Sequence, residues 1–238
     1  MDDENGNALP RGQFYIKNLD KIAYAKDVLL RPLQHGFQYL HWDSSINKLA
    51  CKSLIIPHFG EEARDTNGTI RCGKPISSVL REMTPEEKEK FTDITCFRQV
   101  RGLANFTGKT LAGESITYTN QPVIMMLKGT NFLPFEKEFL KVIPRGRNIW
   151  DFQATLSSKR HKNGSVTWYT FHFAPDLKNP LGMDQDTVDN ITAIAEAIRA
   201  ENKRIDTAYK TALAADRLDQ QAINAIETSL DDDFGDAA

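Results

Sequence analysis

A chain of 238 residues, 40% hydrophobic and 26% charged, is long enough for one or two packed domains of ordinary globular composition. No stretch approaches the roughly 20 apolar residues of a membrane span, and the polar opening MDDENGNALPRGQ is unlike a secretory leader, so a cytoplasmic protein with no membrane partner is expected. The net charge of −2 hides an asymmetry: from Asp184 onward five basic residues face 13 acidic ones, while residues 11–183 carry a net +9.

In chain order, residues 1–12 read as disordered. FYIKNLDKIAYAKDVLLRP has mixed periodicity and predicts a short helix ending before Pro32. FQYLHW and KLACKSLIIP predict two strands joined by the turn-rich DSSIN, and residues 58–75 predict a loop. TPEEKEKF predicts a short helix, because Thr84 caps it, Pro85 takes the first helical position and Glu87 completes a capping box. DITCFRQVRGLANF, SITYTN, PVIMMLKG, IWDFQATLSSKRH and SVTWYTFHF are short strands with Gly, Asn and Pro punctuation. That pattern implies an antiparallel barrel or sandwich, with LPFEKEFLKVI as a helical insertion. From Asp184 the apolar residues Val188, Ile191, Ile194, Ala195 and Ile198 fall on one helix face, and DQQAINAIETSL predicts a second helix before the acidic end.

The most informative stretch is DFQATLSSKRHKNGSVTWYTFHF. Asn163-Gly164 is a strong signal for a two-residue hairpin turn. With that turn, Lys162 faces Ser165, His161 faces Val166 and Lys159 faces Trp168. Alternation then places Phe152, Ala154, Leu156, Tyr169, Phe171 and Phe173 on a core face. The other face holds Lys159, His161, Trp168, Thr170 and His172. A tryptophan among cations suits single-stranded nucleic acid, because the indole stacks on a base while Lys and Arg neutralise phosphates. In the competing reading, Trp168 packs under the C-terminal helices. Arg145 and Arg147, in the loop PRGRN, lead into the same strand.

Other chemistry is less well supported. RGLANFTGKT resembles a phosphate-binding loop only loosely, since five residues separate Gly102 from Gly108-Lys109-Thr110 where the motif needs four. Cys51, Cys72 and Cys96 are an odd set without paired spacing, so reduced thiols are expected. With His58 they are four ligand types suited to zinc, but no CxxC-type spacing selects a site, and no metal or cofactor is expected. No GxSxG, HExxH or paired-carboxylate pattern surrounds a histidine, so no enzyme is expected.

The basic β-rich body with SSKRHKNGSVTWYTFHF, together with the terminal DDDFGDAA, resembles the acidic-tailed single-stranded DNA-binding proteins of bacteriophage replication systems. The resemblance implies an OB-fold barrel, non-specific strand binding without enzymatic activity, and a tail that recruits replication or recombination proteins. Asp231, Asp232, Asp233 and Phe234 match that tail.

The expected architecture is therefore a β-rich α+β protein. An OB-like antiparallel barrel occupies 13–183 with helical insertions, followed by a helical extension over 184–230 and a disordered acidic tail over 231–238. The expected function is non-specific binding and protection of single-stranded DNA in replication, recombination or repair. Trp168, Lys159, Arg160, His161, Lys162, Arg145, Arg147, Lys109 and Arg101 form the candidate nucleic-acid path, and the protein could self-associate. The alternative is a non-enzymatic adaptor or virion component whose basic surface is incidental.

Overall fold

A computed structural model of the chain describes residues 10–18 and 21–234, and the side chains of all of these but 17, 18, 21, 218–220 and 222–234. The short helix expected before Pro32 is replaced by strands β1 (Phe14–Asn18), β2 (Lys21–Ala25) and the start of β3 (Val28–Asp43). Period two explains the difference: Phe14 pairs with Ala25 and Ile16 with Ala23, which puts these four side chains on one pleated face. Pro32 is accommodated inside β3 because it lies past Leu30–Ala154, where the β3–β7 ladder ends.

The strands flanking the DSSIN turn form as expected: β3 runs to Asp43 and β4 spans Lys48–Lys52. Two short helices follow, α1 (Ser77–Glu82) and α2 (Pro85–Glu89), and α2 carries the expected Thr84–Glu87 capping box. β5 (Ile94–Lys109) and β6 (Ser115–Leu127) are long partners, and β6 joins two segments that read separately in the sequence. A π-helical turn at Phe135–Phe139 occupies the expected insertion. β7 (Ala154–Asn163) and β8 (Val166–Pro175) form the hairpin. The two helices expected after Asp184 are one, α3 (Gln185–Phe234). Asp184 caps it by accepting from the Thr187 N–H at 2.8 Å, and the Thr187 contacts hold its carboxyl below the usual range.

Within the described residues the sheet runs β1-β2-β5-β3-β7-β8, with β4 branching from β3 and β6 from β5. Its ends do not pair, so it is an open antiparallel sheet. This overturns the OB-like barrel, and with it the resemblance to the acidic-tailed phage proteins, which implied that fold.

Two features explain why the sheet stays open. β6 contains Pro122, which lacks an N–H, and Asn120 at φ 51, next to a register shift opposite Ala104–Phe106; such residues belong on an edge strand. On β8, side chains of the segment 131–138 occupy the edge instead of another strand. Asn131 Oδ1 accepts from the Phe171 N–H at 2.7 Å, and Glu138 Oε2 accepts from the Phe173 N–H at 2.9 Å.

The chain divides into two compact units, Met1–Gly36 with Phe97–Ala195, and Phe37–Cys96 with Glu196–Ala238. The first contains an aromatic core. Phe135 is fully buried, stacks on Phe139 at 5.3 Å and meets Phe173 edge-on at 5.3 Å, among Leu30, Val100 and Phe152. Arg98, only 3% exposed, lies 5.0 Å from the Phe132 ring and pairs with Glu136 at 2.8 Å. In the second unit, α3 packs on β4 and the loop after it. Asn202 brackets Ile55 through its N–H and its carbonyl at 2.8 and 2.9 Å, Ile205 is buried, and Arg64 pairs with Asp206 at 2.7 Å. Among the described residues no helix is long and apolar enough to cross a membrane.

Candidate nucleic-acid interface

The hairpin forms with a register two residues from the expected one. Gly164 and Ser165 are the loop residues, Gly164 takes φ 58, and Asn163 pairs with Val166. Thus His161 faces Trp168 and Lys159 faces Thr170. An even shift leaves every side chain on its expected face. Leu156 and Phe173 are buried on one face, while Lys159, His161, Trp168, Thr170 and His172 share the other.

The cationic stretch is not all on that second face. Arg160 pairs with Tyr169 and Lys162 with Thr167, so alternation directs both away from Trp168. Lys159, Arg160 and Lys162 are nonetheless all exposed, because the last β3–β7 pair is Val28–Leu156 and the hairpin continues beyond it. From Phe152 to Pro175 the sequence contains no carboxylate. The distal hairpin is therefore a two-stranded arm with cations on both faces.

Trp168 is 36% exposed and its ring lies 5.4 Å from that of His161, with 14° between the planes. His161 is held in turn by a 2.7 Å hydrogen bond between Nε2 and Thr170 Oγ1. Fixing the imidazole in this way orients the indole without burying it. Toward the base of the arm, His172 Nδ1 lies 3.1 Å from Glu138. On the core-face side, Phe14 contacts Phe171 at 5.3 Å and the Ser158 hydroxyl donates to the Gly12 carbonyl.

The other candidate cations are placed elsewhere. Arg147 lies 3.6 Å from Asp151 and 5.9 Å from the Phe152 ring. Nine residues of extended chain, most of them in β7, separate Phe152 from His161, roughly 30 Å. Arg145 is exposed in the same loop. Arg101 is half-buried on β5 and donates to Gln99 at 3.1 Å, while Lys109 is exposed at the far end of β5. Gly102 and Gly108-Lys109 lie within β5, in a strand and not a phosphate-binding loop. Asp231, Asp232, Asp233 and Phe234 form the last backbone turn of α3, where a disordered tail was expected; their side chains and residues 235–238 lie outside the described residues, as do residues 1–9.

A concavity of about 590 Å³ opens in the first unit between Phe14, Ile16, Leu30, Met125 and Phe171. It has no charged lining residue, so it is unsuited to phosphate. Asn131 and Glu138, which cover the β8 edge, were not singled out in the sequence because neither carries a motif and both act across more than 30 positions of chain.

Of the four zinc-type residues, the structure brings together two. His58 is exposed in its loop. Cys96 lies against Tyr39, whose hydroxyl is pushed up to about 12 by burial and by that thiol. Cys51 and Cys72 are buried side by side with Asp65, which the sequence reading did not include. The Thr66 hydroxyl donates to Cys51 Sγ at 3.5 Å, and the Cys72 thiol donates to the Tyr39 carbonyl at 3.5 Å. Contact with Cys72 draws the Cys51 thiol down, whereas contact with Cys51 and burial push the Cys72 thiol up.

Comparison of the chain with protein-family models, with curated proteins and with solved structures finds no match.

Proposed function

We propose that the β7–β8 arm binds single-stranded DNA without sequence preference. The observation that carries this reading is the half-open Trp168, held by His161 on a hairpin that has three exposed cations and no carboxylate. A stacking ring on an arm that carries exposed cations recognises what every nucleotide shares, a π-face and a phosphate. Duplex DNA hides its base faces, so the indole would contribute only to unpaired strands.

Trp168→Ala is expected to weaken binding of a labelled oligo(dT) by about 2 kcal/mol, roughly 30-fold, because base–aromatic stacks are worth about 1–3 kcal/mol each. If Lys159, Arg160 and Lys162 make the phosphate contacts, log K should fall with log salt at a slope of about −2. Fluorescence titration measures both. Unchanged affinity in a folded Trp168→Ala protein would remove the arm from the site. If the wild-type protein shows neither quenching nor a mobility shift, the binding reading fails and the adaptor reading replaces it.

A further inference from the structure

In the second unit, three buried side chains from separate segments converge. Cys51 comes from β4, Asp65 from the loop after it, and Cys72 from the turn that ends that loop. One ligand atom from each lies within 4.8 Å of the others, and their exposures are 2%, 0% and 7%. A tetrahedral zinc ion with Zn–S of about 2.3 Å and Zn–O of about 2.1 Å separates its ligands by roughly 3.5–3.8 Å, within that spread.

The backbone is arranged around this meeting point. Arg71 and Cys72 both take φ 56 and Gly73 takes φ 80, three left-handed residues in a row. For the two that carry a Cβ this costs about 1–2 kcal/mol each. The Cys72 N–H donates to Asp65 Oδ2 at 2.7 Å. Asp65 Oδ1 accepts from the N–H groups of Asn67 and Thr69 at 2.9 and 3.1 Å, and Oδ2 also accepts the Thr69 hydroxyl at 2.7 Å. The three backbone donors fix the carboxylate as outer-sphere hydrogen bonds fix a metal ligand. The hydroxyl is the one donor free to rotate away and vacate a lone pair. The Tyr39 carbonyl oxygen, 3.5 Å from Cys72 Sγ, supplies a fourth donor.

We propose that Cys51, Asp65 and Cys72 bind a thiophilic divalent cation, zinc by the chemistry of the set, as a structural ion tying the 53–73 loop to β3 and β4. Binding exchanges two thiol protons for one Zn²⁺: two S–H bonds break, two Zn–S bonds form, and two protons leave to solvent. The site has a net charge of −1 before and after, so the donors around Asp65 serve both forms and no new net charge is buried. Two thiolates and a carboxylate select zinc over magnesium or calcium, which take oxygen ligands.

The full chain, stripped with chelator and titrated with Co²⁺, is expected to develop thiolate-to-metal charge-transfer absorption at one ion per chain, which Zn²⁺ then displaces. Cys51→Ser and Cys72→Ser are expected to lose this signal, while Cys96→Ser and His58→Ala keep it. Should the serine variants fail to fold, alkylation of the wild-type chain decides. Zinc is expected to protect Cys51 and Cys72 under mild denaturant, with Cys96 unprotected as the internal reference. No charge-transfer band, or zinc that leaves the alkylation of Cys51 and Cys72 unchanged, would overturn the proposal.

Discussion

Asp65→Ala is expected to destabilise the metal-free protein by about 4 kcal/mol. The carboxylate is fully buried and accepts four hydrogen bonds, three from backbone N–H groups. Each buried donor left without a partner costs about 1–3 kcal/mol, and water entering the relaxed loop recovers part of that. Asp65→Asn should cost about half as much, because one amide oxygen still accepts from Asn67 and Thr69 while the NH₂ group opposes the Cys72 N–H. Urea unfolding in the presence of a chelator measures both changes. The damage should be local first: hydrogen exchange in residues 64–73 should rise before that of β5. If Asp65→Ala unfolds at the wild-type urea midpoint, the carboxylate does not organise this loop.

Glu136→Ala is expected to cost about 3 kcal/mol, because it removes the carboxylate paired with Arg98, a guanidinium 3% exposed among the Phe132 and Phe135 rings. Removing one partner of a buried pair costs about 3–5 kcal/mol. Glu136 is itself one-third exposed, so solvent screens its end and the low figure applies. The pair also has a pH signature. Hydrogen bonds from Arg98 first and Lys141 second hold the Glu136 carboxyl below its ordinary value. A carboxyl depressed in the folded state adds stability that is fully present above its unfolded pKa and is lost as pH falls through the folded one. The stability difference between wild type and Glu136→Gln should therefore hold steady in the neutral range and shrink as pH falls below the ordinary carboxyl value of 4.5. A difference that stays constant through that fall would mean that charge does not hold the pair. The change also reaches the candidate interface, since Glu138 in the same helical turn accepts from the β8 backbone at Phe173. Loosening this turn should free the outer edge of the arm.

Much of the arm was legible in the sequence because its determinants are local. Period-two alternation put Trp168 and Lys159 on one face and Leu156 and Phe173 on the other, and an even register error could not disturb that assignment. The Thr84–Glu87 box was legible for the same reason, being complete within four residues. The stretch from Phe14 to Pro32 was misread because a short segment mixing aromatic residues and alanine fits either period until it finds a partner strand. Arg160 and Lys162 were grouped with Trp168 as sequence neighbours, although a strand sends adjacent side chains to opposite faces.

By itself the sequence determined the alternating faces of the hairpin, the carboxylate-free cationic stretch, the cap of α2 and the helical character after Asp184. Each follows from spacing within a few residues. Tertiary structure alone decided whether the sheet closed: Asn131 and Glu138 cover the β8 edge where a further strand would pair, and Pro122 keeps β6 at an edge. Tertiary structure alone also brought Cys51, Asp65 and Cys72 together from positions with no spacing motif, since contacts between distant segments depend on how the chain packs and leave no local period to read.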